Sequence, residues 1–386
     1  MRIYSLLIAL VGFMPAFFSC QSAKPIIKKE YRETWSNRTL PEDKPIYTIF
    51  ALGDAGDPDT TKMDSNFGTL QERLKQQDEE ALLIFLGDNI YPAGLPHNSH
   101  PDRKEYELHL DAQIAIADSF KGRTIFIPGN HDWDDGHDQG YIRAIAQERY
   151  IENKMQNARV FYPENGCPGP EEIALTDDIV LIVLNTQWWL HKHAKPDTGI
   201  CDFGTDFLFM QEFENAMKRN AGKKVIVAAH HPMESQGPHG GKFPATAHFF
   251  PLREFNRNLW VPLPFFGSLY VIYRKSGYIQ DLTNKRYKAM QASFQRVMEQ
   301  YPNTIYLNGH DHSLQYIPKN NVHYITSGAG TEVSHVVGHK RLHFGYAGRG
   351  HTEIKLYADG QVWVEFIRTN KDGKAEVLYR TELKNN

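Results

Sequence analysis

The chain has 386 residues, of which 41% are hydrophobic and 23% are charged, a composition typical of folded globular proteins. This length could form two average domains, but a single large α/β domain with insertions also reaches it, and we expect one catalytic domain. Lys and Arg number 43 against 46 Asp and Glu, a net charge of −3, so no strong positive field favours nucleic acid as a partner.

The first twenty residues have the pattern of an export signal. A basic Arg2 precedes an apolar stretch over residues 3–18, which is shorter than a membrane-spanning helix requires. Cys20 resembles the lipidated cysteine of bacterial lipoproteins, although Phe17 and Phe18 depart from that signal, and an ordinary cleaved signal peptide is the alternative. Both alternatives predict an exported protein, periplasmic or at the cell surface. Lipidation of Cys20 would attach it to a membrane.

Residues 21–44 are polar and charged without a helical or strand period, which predicts a tether. The folded domain is then expected over residues 45–386. Beyond Cys20 the chain contains Cys167 and Cys201, an even number in a protein expected to mature where disulfides persist. The sequence leaves two alternatives open, a disulfide or two free buried thiols.

From Ile46 onward, apolar strand-like runs alternate with segments whose apolar residues recur every three or four positions, as in α/β proteins. The strand candidates are residues 46–52, 81–86, 124–127, 179–184, 225–229 and 304–307, followed after Gly309 by 323–326, 352–357, 362–367 and 376–379. The helix candidates are residues 67–77, 104–118, 141–156, 203–219 and 285–300. We predict an α/β fold with two stacked mixed β-sheets flanked by helices, and with the active groups at strand ends.

Five short motifs at the ends of strand candidates carry side chains that bind metal ions. They are Gly53-Asp54-Ala55-Gly56-Asp57, Gly87-Asp88-Asn89-Ile90-Tyr91, Gly129-Asn130-His131-Asp132, His230-His231-Pro232 and Gly309-His310-Asp311-His312. Carboxylate, imidazole, amide oxygen and phenol suit hard or borderline transition ions, and the absence of cysteine from the set disfavours zinc fingers and iron–sulfur clusters. The five motifs predict one metal site.

In their order and content these motifs resemble those of the calcineurin-like metallophosphoesterases, and especially the purple acid phosphatases of the tartrate-resistant type. The similarity runs from about Tyr47 to the C-terminus and includes Tyr91, three residues after Asp88. It implies the four-layer sandwich of that family. It also implies an Fe(III) ion bound by Asp54, Asp88, Tyr91 and His312. A second divalent ion, iron, zinc or manganese, would be bound by Asp88, Asn130, His230 and His310.

The resemblance implies an acid phosphatase that hydrolyses small phosphate monoesters. Two cations would neutralise the oxygens of the ester and lower the pKa of a shared water, which attacks phosphorus as hydroxide. His131 and His239 are the candidates to position the substrate or protonate its leaving group. Asp132 is expected to orient His131 by accepting its ring proton. The alternatives are a phosphodiesterase or nucleotide-cleaving enzyme, and a non-catalytic metal-containing binding protein at the cell surface.

An apolar insertion at about residues 245–300 separates the fourth and fifth motifs and is longer than in the small tartrate-resistant phosphatases. Its central part, residues 247–273, contains Pro262, Pro264 and Gly267, so a regular membrane-spanning helix is not expected there. The alternatives are a flap over the active site, a patch that rests on a membrane, and a buried satellite cluster.

Overall fold

Two mixed β-sheets form the centre of the molecule. The computed structural model describes residues 24–254 and 258–384, so the predicted signal peptide and Cys20 lie outside it. Within these residues the strands are β1 (Ile26–Ile27), β2 (Tyr47–Leu52), β3 (Ala81–Phe85), β4 (Arg123–Phe126), β5 (Glu171–Ala174), β6 (Ile179–Val183), β7 (Lys224–Ala228), β8 (Thr304–Asn308), β9 (Leu314–Lys319), β10 (Val322–Ser327), β11 (Phe344–Tyr346), β12 (His351–Leu356), β13 (Val362–Thr369) and β14 (Ala375–Glu382).

The first sheet has the strand order β1-β11-β9-β10-β8-β7-β6-β5, and the second has the order β14-β13-β12-β2-β3-β4. Strands β2, β3 and β4 are parallel, as are β6, β7 and β8. The C-terminal strand β12 runs antiparallel to β2, with Ile354 opposite Ile49. Each sheet therefore contains a group of parallel neighbours whose carboxyl ends lie at the same edge.

Alternate residues of β2 face two different hydrophobic cores. Ile49 and Ala51 point between the sheets, where they join apolar residues of both, whereas Phe50 and Leu52 join the core beneath the helices outside the second sheet. A third core lies between the other sheet and its own helices. This alternation follows from the two-residue period of a strand that is buried on both faces. The resulting order of layers, helix, sheet, sheet, helix, is the predicted fold.

The helices of the described residues lie on the outer faces of the two sheets and in the insertion. They are α1 (Ser65–Leu74), α2 (Arg103–Ile116), α3 (Gly140–Met155), α4 (Thr186–Leu190), α5 (Asp206–Arg219), α6 (Ala245–Phe249), α7 (Pro264–Lys275) and α8 (Lys285–Met298). In the part of the chain that is described, none of them has both the length and the apolar character needed to cross a bilayer.

The predicted tether requires correction, because the folded body begins at Ile26 and not near residue 45. Strand β1 pairs with β11 at the edge of the first sheet, with Ile26 opposite Gly345. The rings of Tyr31 and Trp35 then lie 5.1 and 6.0 Å from those of His343 and Tyr379. A two-residue strand produces no period in the sequence, so composition alone suggested an unstructured segment.

Cys167 and Cys201 form a disulfide, with their Cα atoms 5.6 Å apart. Of the two alternatives left open by the sequence, the structure therefore shows the bridge and not two free thiols. It closes a loop that contains β5, β6 and α4, and no candidate site residue takes part in it.

The apolar insertion contains the short helix α6 and the twelve-residue helix α7, which begins at Pro264. Pro at the first helical position is compatible with a helix, because its missing N–H would have no partner there. Phe265 and Phe266 are 71% and 64% exposed, so the alternative of a buried satellite cluster does not describe this face.

Candidate metal centre

The predicted ligands lie together at the carboxyl ends of the parallel strands. Asp54 and Asp88 follow β2 and β3, while His230 and His310 follow β7 and β8 of the other sheet. The backbone turns sharply at these loops, since φ is 56° at Asp54, 51° at Asp88 and 71° at His310. Such left-handed values are uncommon outside glycine and are often found at functional sites.

His230 and His310 face each other, and a backbone carbonyl holds one nitrogen of each ring. The His230 Nδ1 lies 2.8 Å from the Leu86 carbonyl, and the His310 Nε2 lies 2.8 Å from the Gln280 carbonyl. A carbonyl only accepts hydrogen bonds, so each of these ring nitrogens carries the proton of a neutral ring. The remaining atoms, His230 Nε2 and His310 Nδ1, are 3.1 Å apart, and in neutral rings they carry the lone pairs that could bind a metal ion.

Two oxygen acceptors also lie close to His230 Nε2. The Asn130 amide donates from Nδ2 to Asp135 Oδ1 at 2.9 Å, which leaves its Oδ1 3.0 Å from His230 Nε2. The Asp88 Oδ2 lies 3.2 Å from the same nitrogen. Four acceptor atoms from the predicted second ligand set thus converge, a donor set suited to a transition ion and costly to bury without a cation.

The other predicted ligand set converges around the Tyr91 hydroxyl. That oxygen lies 3.2 Å from Asp54 Oδ1, 3.4 Å from Asp88 Oδ2 and 3.1 Å from His312 Nε2. The His312 Nδ1 is 3.0 Å from a Glu332 carboxylate oxygen, which orients the imidazole and turns Nε2 towards the site. Asp88 belongs to both groups, as a bridging carboxylate would.

The buried carboxylates of Asp54 and Asp88 favour positive charge at this site. Burial alone would lower the pKa of His230, but the neighbouring carboxylates of Asp88 and Asp54 outweigh it and raise the pKa to about 9. Burial, followed by the same two carboxylates, raises the pKa of the Tyr91 phenol well above its usual range. A bound cation would satisfy the same carboxylates and would favour the phenolate.

Gly87 and Gly129 allow the loops that carry Asp88 and His230 to approach their neighbours closely. A Cβ at Gly129 would overlap the Asp88 carboxylate and backbone, and one at Gly87, where φ is 88°, would lie 2.6 Å from His230 Nδ1. Any larger residue would displace one of the proposed ligands.

The role predicted for Asp132 requires correction. Its carboxylate is fully buried and accepts hydrogen bonds from the backbone N–H groups of Asn89 and Gly129, at 2.9 and 2.7 Å. The His131 ring nitrogen Nδ1 instead lies 2.5 Å from the Pro92 carbonyl. Neighbouring residues in a turn project in different directions, so Asp132 ties two ligand loops together and does not orient His131.

His239 lies beside the second ligand group, with its ring centroid 3.9 Å from that of His310. Its Nδ1 is 2.9 Å from Asp281 Oδ1. Two guanidinium nitrogens of Arg274, at the end of α7, donate to the same carboxylate at 2.7 Å each. The insertion therefore fixes the orientation of His239 and leaves its Nε2 for a substrate. Neither Arg274 nor Asp281 belongs to a recognisable motif.

A cavity of about 220 Å³ opens next to the second ligand group. Two of its lining residues, Asp135 and Gln280, contact the predicted ligands Asn130 and His310. Its other lining residues are Gly136, His137, Leu190, Lys192, His193, Tyr278 and Ile279. This mixture of apolar, imidazole and ammonium groups provides space for the organic part of a small ester.

A family model described as calcineurin-like phosphoesterase matches residues 47–328, a range that contains every predicted metal ligand. The chain belongs to this family. A phosphoesterase of this family is a hydrolase, and its two converging ligand groups are consistent with a binuclear metal centre.

Purple acid phosphatase 3 of Arabidopsis thaliana is 22% identical over 293 residues, which are 71% of this chain and 62% of that protein. The chain thus spans less than two thirds of the length of this relative. The fold of this chain matches that of purple acid phosphatase PPD1 from yellow lupin, with a TM-score of 0.53 and 13% identity, over 89% of this chain and 54% of the lupin chain.

The fold of this chain also matches that of GAP50, the anchor in the inner membrane complex of Plasmodium, with a TM-score of 0.55 and 14% identity over 89% of this chain and 90% of the GAP50 chain. PhoD matches with a TM-score of 0.53 and 9% identity, over 90% of this chain and 73% of that one. At these identities the structural matches establish the fold alone.

Proposed function

We propose that this phosphoesterase is an exported, dinuclear-metal acid phosphatase that hydrolyses small phosphate monoesters. The observation that carries the proposal is the Tyr91 hydroxyl, which lies within 3.4 Å of three other predicted ligands. A phenol at this place distinguishes the purple acid phosphatase type, in the sequence resemblance above, from phosphodiesterases of the same fold. The similarity to a plant purple acid phosphatase supports it.

Asp54, Asp88, Tyr91 and His312 would hold Fe(III), and Asp88, Asn130, His230 and His310 would hold iron, zinc or manganese. When bound, these ions would neutralise the phosphate oxygens and activate a water at neutral pH. The chain's own contribution is to fix the ligands. Leu86 and Gln280 carbonyls set the tautomers of His230 and His310, and Glu332 orients His312.

His239 and His131 are the proposed groups that position the ester or give its leaving oxygen a proton. His239 approaches from the side of the insertion, where Asp281 holds its Nδ1. His131 lies beside the first ligand group, where its ring packs edge-on against Tyr91 with the centroids 4.7 Å apart. The adjoining cavity would hold the leaving group.

The test is the visible spectrum of the purified, iron-loaded protein together with parallel assays of a chromogenic monoester and a diester. We expect a purple phenolate-to-iron band that disappears in Tyr91→Phe. The matched control is Tyr316→Phe, which removes a buried hydroxyl 2.9 Å from His323, away from the site. Colourless protein with bound iron would contradict the ferric assignment. Faster diester hydrolysis would favour the phosphodiesterase alternative, and metal-replete protein inactive on both esters would favour a binding role.

A further inference from the structure

Exposed hydrophobic side chains are concentrated in one segment of the insertion. Of the sixteen large hydrophobic residues exposed in the described chain, nine lie within residues 249–273, although this segment is a small part of it. Six of them are more than half exposed: Phe249, Trp260, Phe265, Phe266, Ile272 and Tyr273. We call the surface formed by these six side chains the apolar patch. A patch of this kind usually marks an interaction surface.

Helix α7 presents an apolar stripe to solvent. Phe265, Phe266, Ile272 and Tyr273 recur at the spacing of one helix face. The opposite face is fixed against α6, because a Cβ at Gly267 would overlap the His248 carbonyl. The helix thus cannot turn its apolar stripe inward without losing this close contact.

The segment that carries the patch is basic in an otherwise acidic chain. The described residues of the segment 242–275 contain a single acidic residue, Glu254, and four basic ones, Lys242, Arg253, Arg274 and Lys275, whereas the net charge of the whole chain is −3. Arg274 pairs with Asp281, and Glu254 with His335. The excess of basic over acidic residues gives the surroundings of the apolar patch a positive charge, which complements an anionic surface, and the Arg253 guanidinium lies 3.6 Å from the centre of the Trp260 ring.

The first described residues contact a loop that also contacts the insertion. A Cβ at Gly338 would lie 3.9 Å from Ile26 of β1, and the loop of Gly338 also carries His335, which contacts both Glu254, at 3.0 Å, and the Phe243 ring. Only residues 21–25 separate Cys20 from β1. Fully extended, five residues reach about 18 Å. Membrane attachment at Cys20 would therefore bring this side of the molecule to the bilayer.

We propose that the apolar patch docks on the surface of an anionic lipid bilayer. The aromatic rings would enter the boundary between headgroups and acyl chains, while the basic residues contact headgroup phosphates. Trp and Tyr are suited to this boundary because their rings are amphipathic. A twelve-residue helix is about 18 Å long, too short to cross the hydrocarbon core, so α7 lies in the plane of the surface.

The test uses residues 21–386, which lack the predicted export signal and Cys20, so that neither an apolar signal nor a lipid anchor contributes, and co-sedimentation with vesicles of phosphatidylcholine alone or with 30% phosphatidylglycerol. We expect binding to the anionic vesicles, weaker binding to the neutral ones, and loss of binding by about tenfold or more in Phe265→Ser/Phe266→Ser/Ile272→Ser. The matched control is Ile142→Ser/Ile200→Ser/Phe207→Ser, which removes equally exposed side chains elsewhere. The control should bind as the parent does.

Thermal melts followed by circular dichroism establish that both triple variants are folded, and monoester hydrolysis in vesicle-free solution should be the same in all three proteins. The proposal is overturned if the patch variant binds as well as its parent, or if the parent chain of residues 21–386 binds neither vesicle. A dimer in solution that dissociates only in the patch variant would also overturn it, because a second copy would then be the occupant. None of these outcomes depends on the metal chemistry, so the proposed phosphatase activity stands or falls separately.

Discussion

Asp281 is the residue through which the insertion reaches the candidate active site. Its carboxylate receives two hydrogen bonds from Arg274 and holds the Nδ1 of His239. Burial alone would raise the pKa of Asp281, but these partners outweigh it and lower the pKa below its usual value. The group is therefore charged whenever His239 would act.

We predict that Asp281→Asn lowers kcat/KM for a monoester by about 10- to 100-fold, because an amide no longer fixes the tautomer of His239. Iron and second-metal content, measured by mass spectrometry, should be unchanged, and the pH profile should shift. Asp206→Asn is the control, since Asp206 forms an ion pair with Arg286 far from the ligands. An equal loss of bound metal would mean that Asp281 supports the ligands and not His239.

Glu148 gives a pH prediction away from the metal centre. Its carboxyl lies in α3, where burial raises its pKa to about 7 despite a hydrogen bond from the Asn165 backbone N–H at 2.7 Å. A raised pKa means that the folded protein holds this proton more tightly than the unfolded chain. The stabilisation is thus fully present below pH 4.5 and is lost as the pH rises through 7.

Glu148→Gln should remove this dependence, because glutamine keeps the acceptor oxygen without titrating. Relative to the unchanged protein, the variant should gain about 2–3 kcal/mol of unfolding free energy between pH 5 and pH 8. Urea unfolding at the two pH values measures the difference. Parallel curves for the two proteins across this range would contradict the prediction.

At the scale of single residues, the sequence predicted which side chains converge better than it predicted the residues that hold them. Asp88 and His310 were identifiable because each stands in a local motif after a strand, and their role as metal ligands stays a prediction. Gln280 and Glu332 were not, because they meet His310 and His312 only through tertiary contacts. For Asp132, adjacency in sequence suggested a partner that the buried turn does not provide.

Among the elements, the long strands and helices were predicted within a few residues, since their apolar periods are extended. Strand β6, for example, was expected over 179–184 and spans Ile179–Val183. Short elements were missed. The two-residue strand β1 and the helix α7, which begins within a proline-rich stretch, have no period that can be distinguished from a loop.

The disulfide between Cys167 and Cys201 should stabilise the loop around β5, β6 and α4. Closing a loop with a sequence separation of 34 residues is expected to contribute about 3–4 kcal/mol. Cys167→Ala/Cys201→Ala should lower the unfolding free energy by this amount, measured by chemical denaturation without reductant. Cys20→Ala is the control and should leave it unchanged. Equal stability of the double variant and its parent would contradict the prediction.

For the whole molecule, the strands beyond the family match are as necessary as those within it. The match ends at residue 328, but β12, β13 and β14 supply half of the second sheet and bury Ile354, Phe366 and Tyr379. A chain ending at Gly350 should therefore not fold, because β2 would lose one neighbour and the inter-sheet core would be open.

This prediction is measured as soluble yield and far-ultraviolet circular dichroism of the truncated chain. Removal of only residues 384–386 is the control and should have no effect on either. A soluble truncated protein with native helix content and bound metal would show that the last three strands are dispensable.

The pairing of β2 also determines when the metal centre can exist during synthesis. The loop of Gly53 and Asp54 at the end of this strand makes three hydrogen bonds to later residues. The Gly53 N–H donates to the Ser327 carbonyl, and the Gly53 carbonyl accepts from the Gly330 N–H. The Asp54 carboxylate accepts from the His310 backbone N–H. These residues emerge from the ribosome more than 250 residues later. The Asp54 loop thus waits for nearly the entire chain, and we expect the convergence of the candidate ligands to be a late event that requires complete folding.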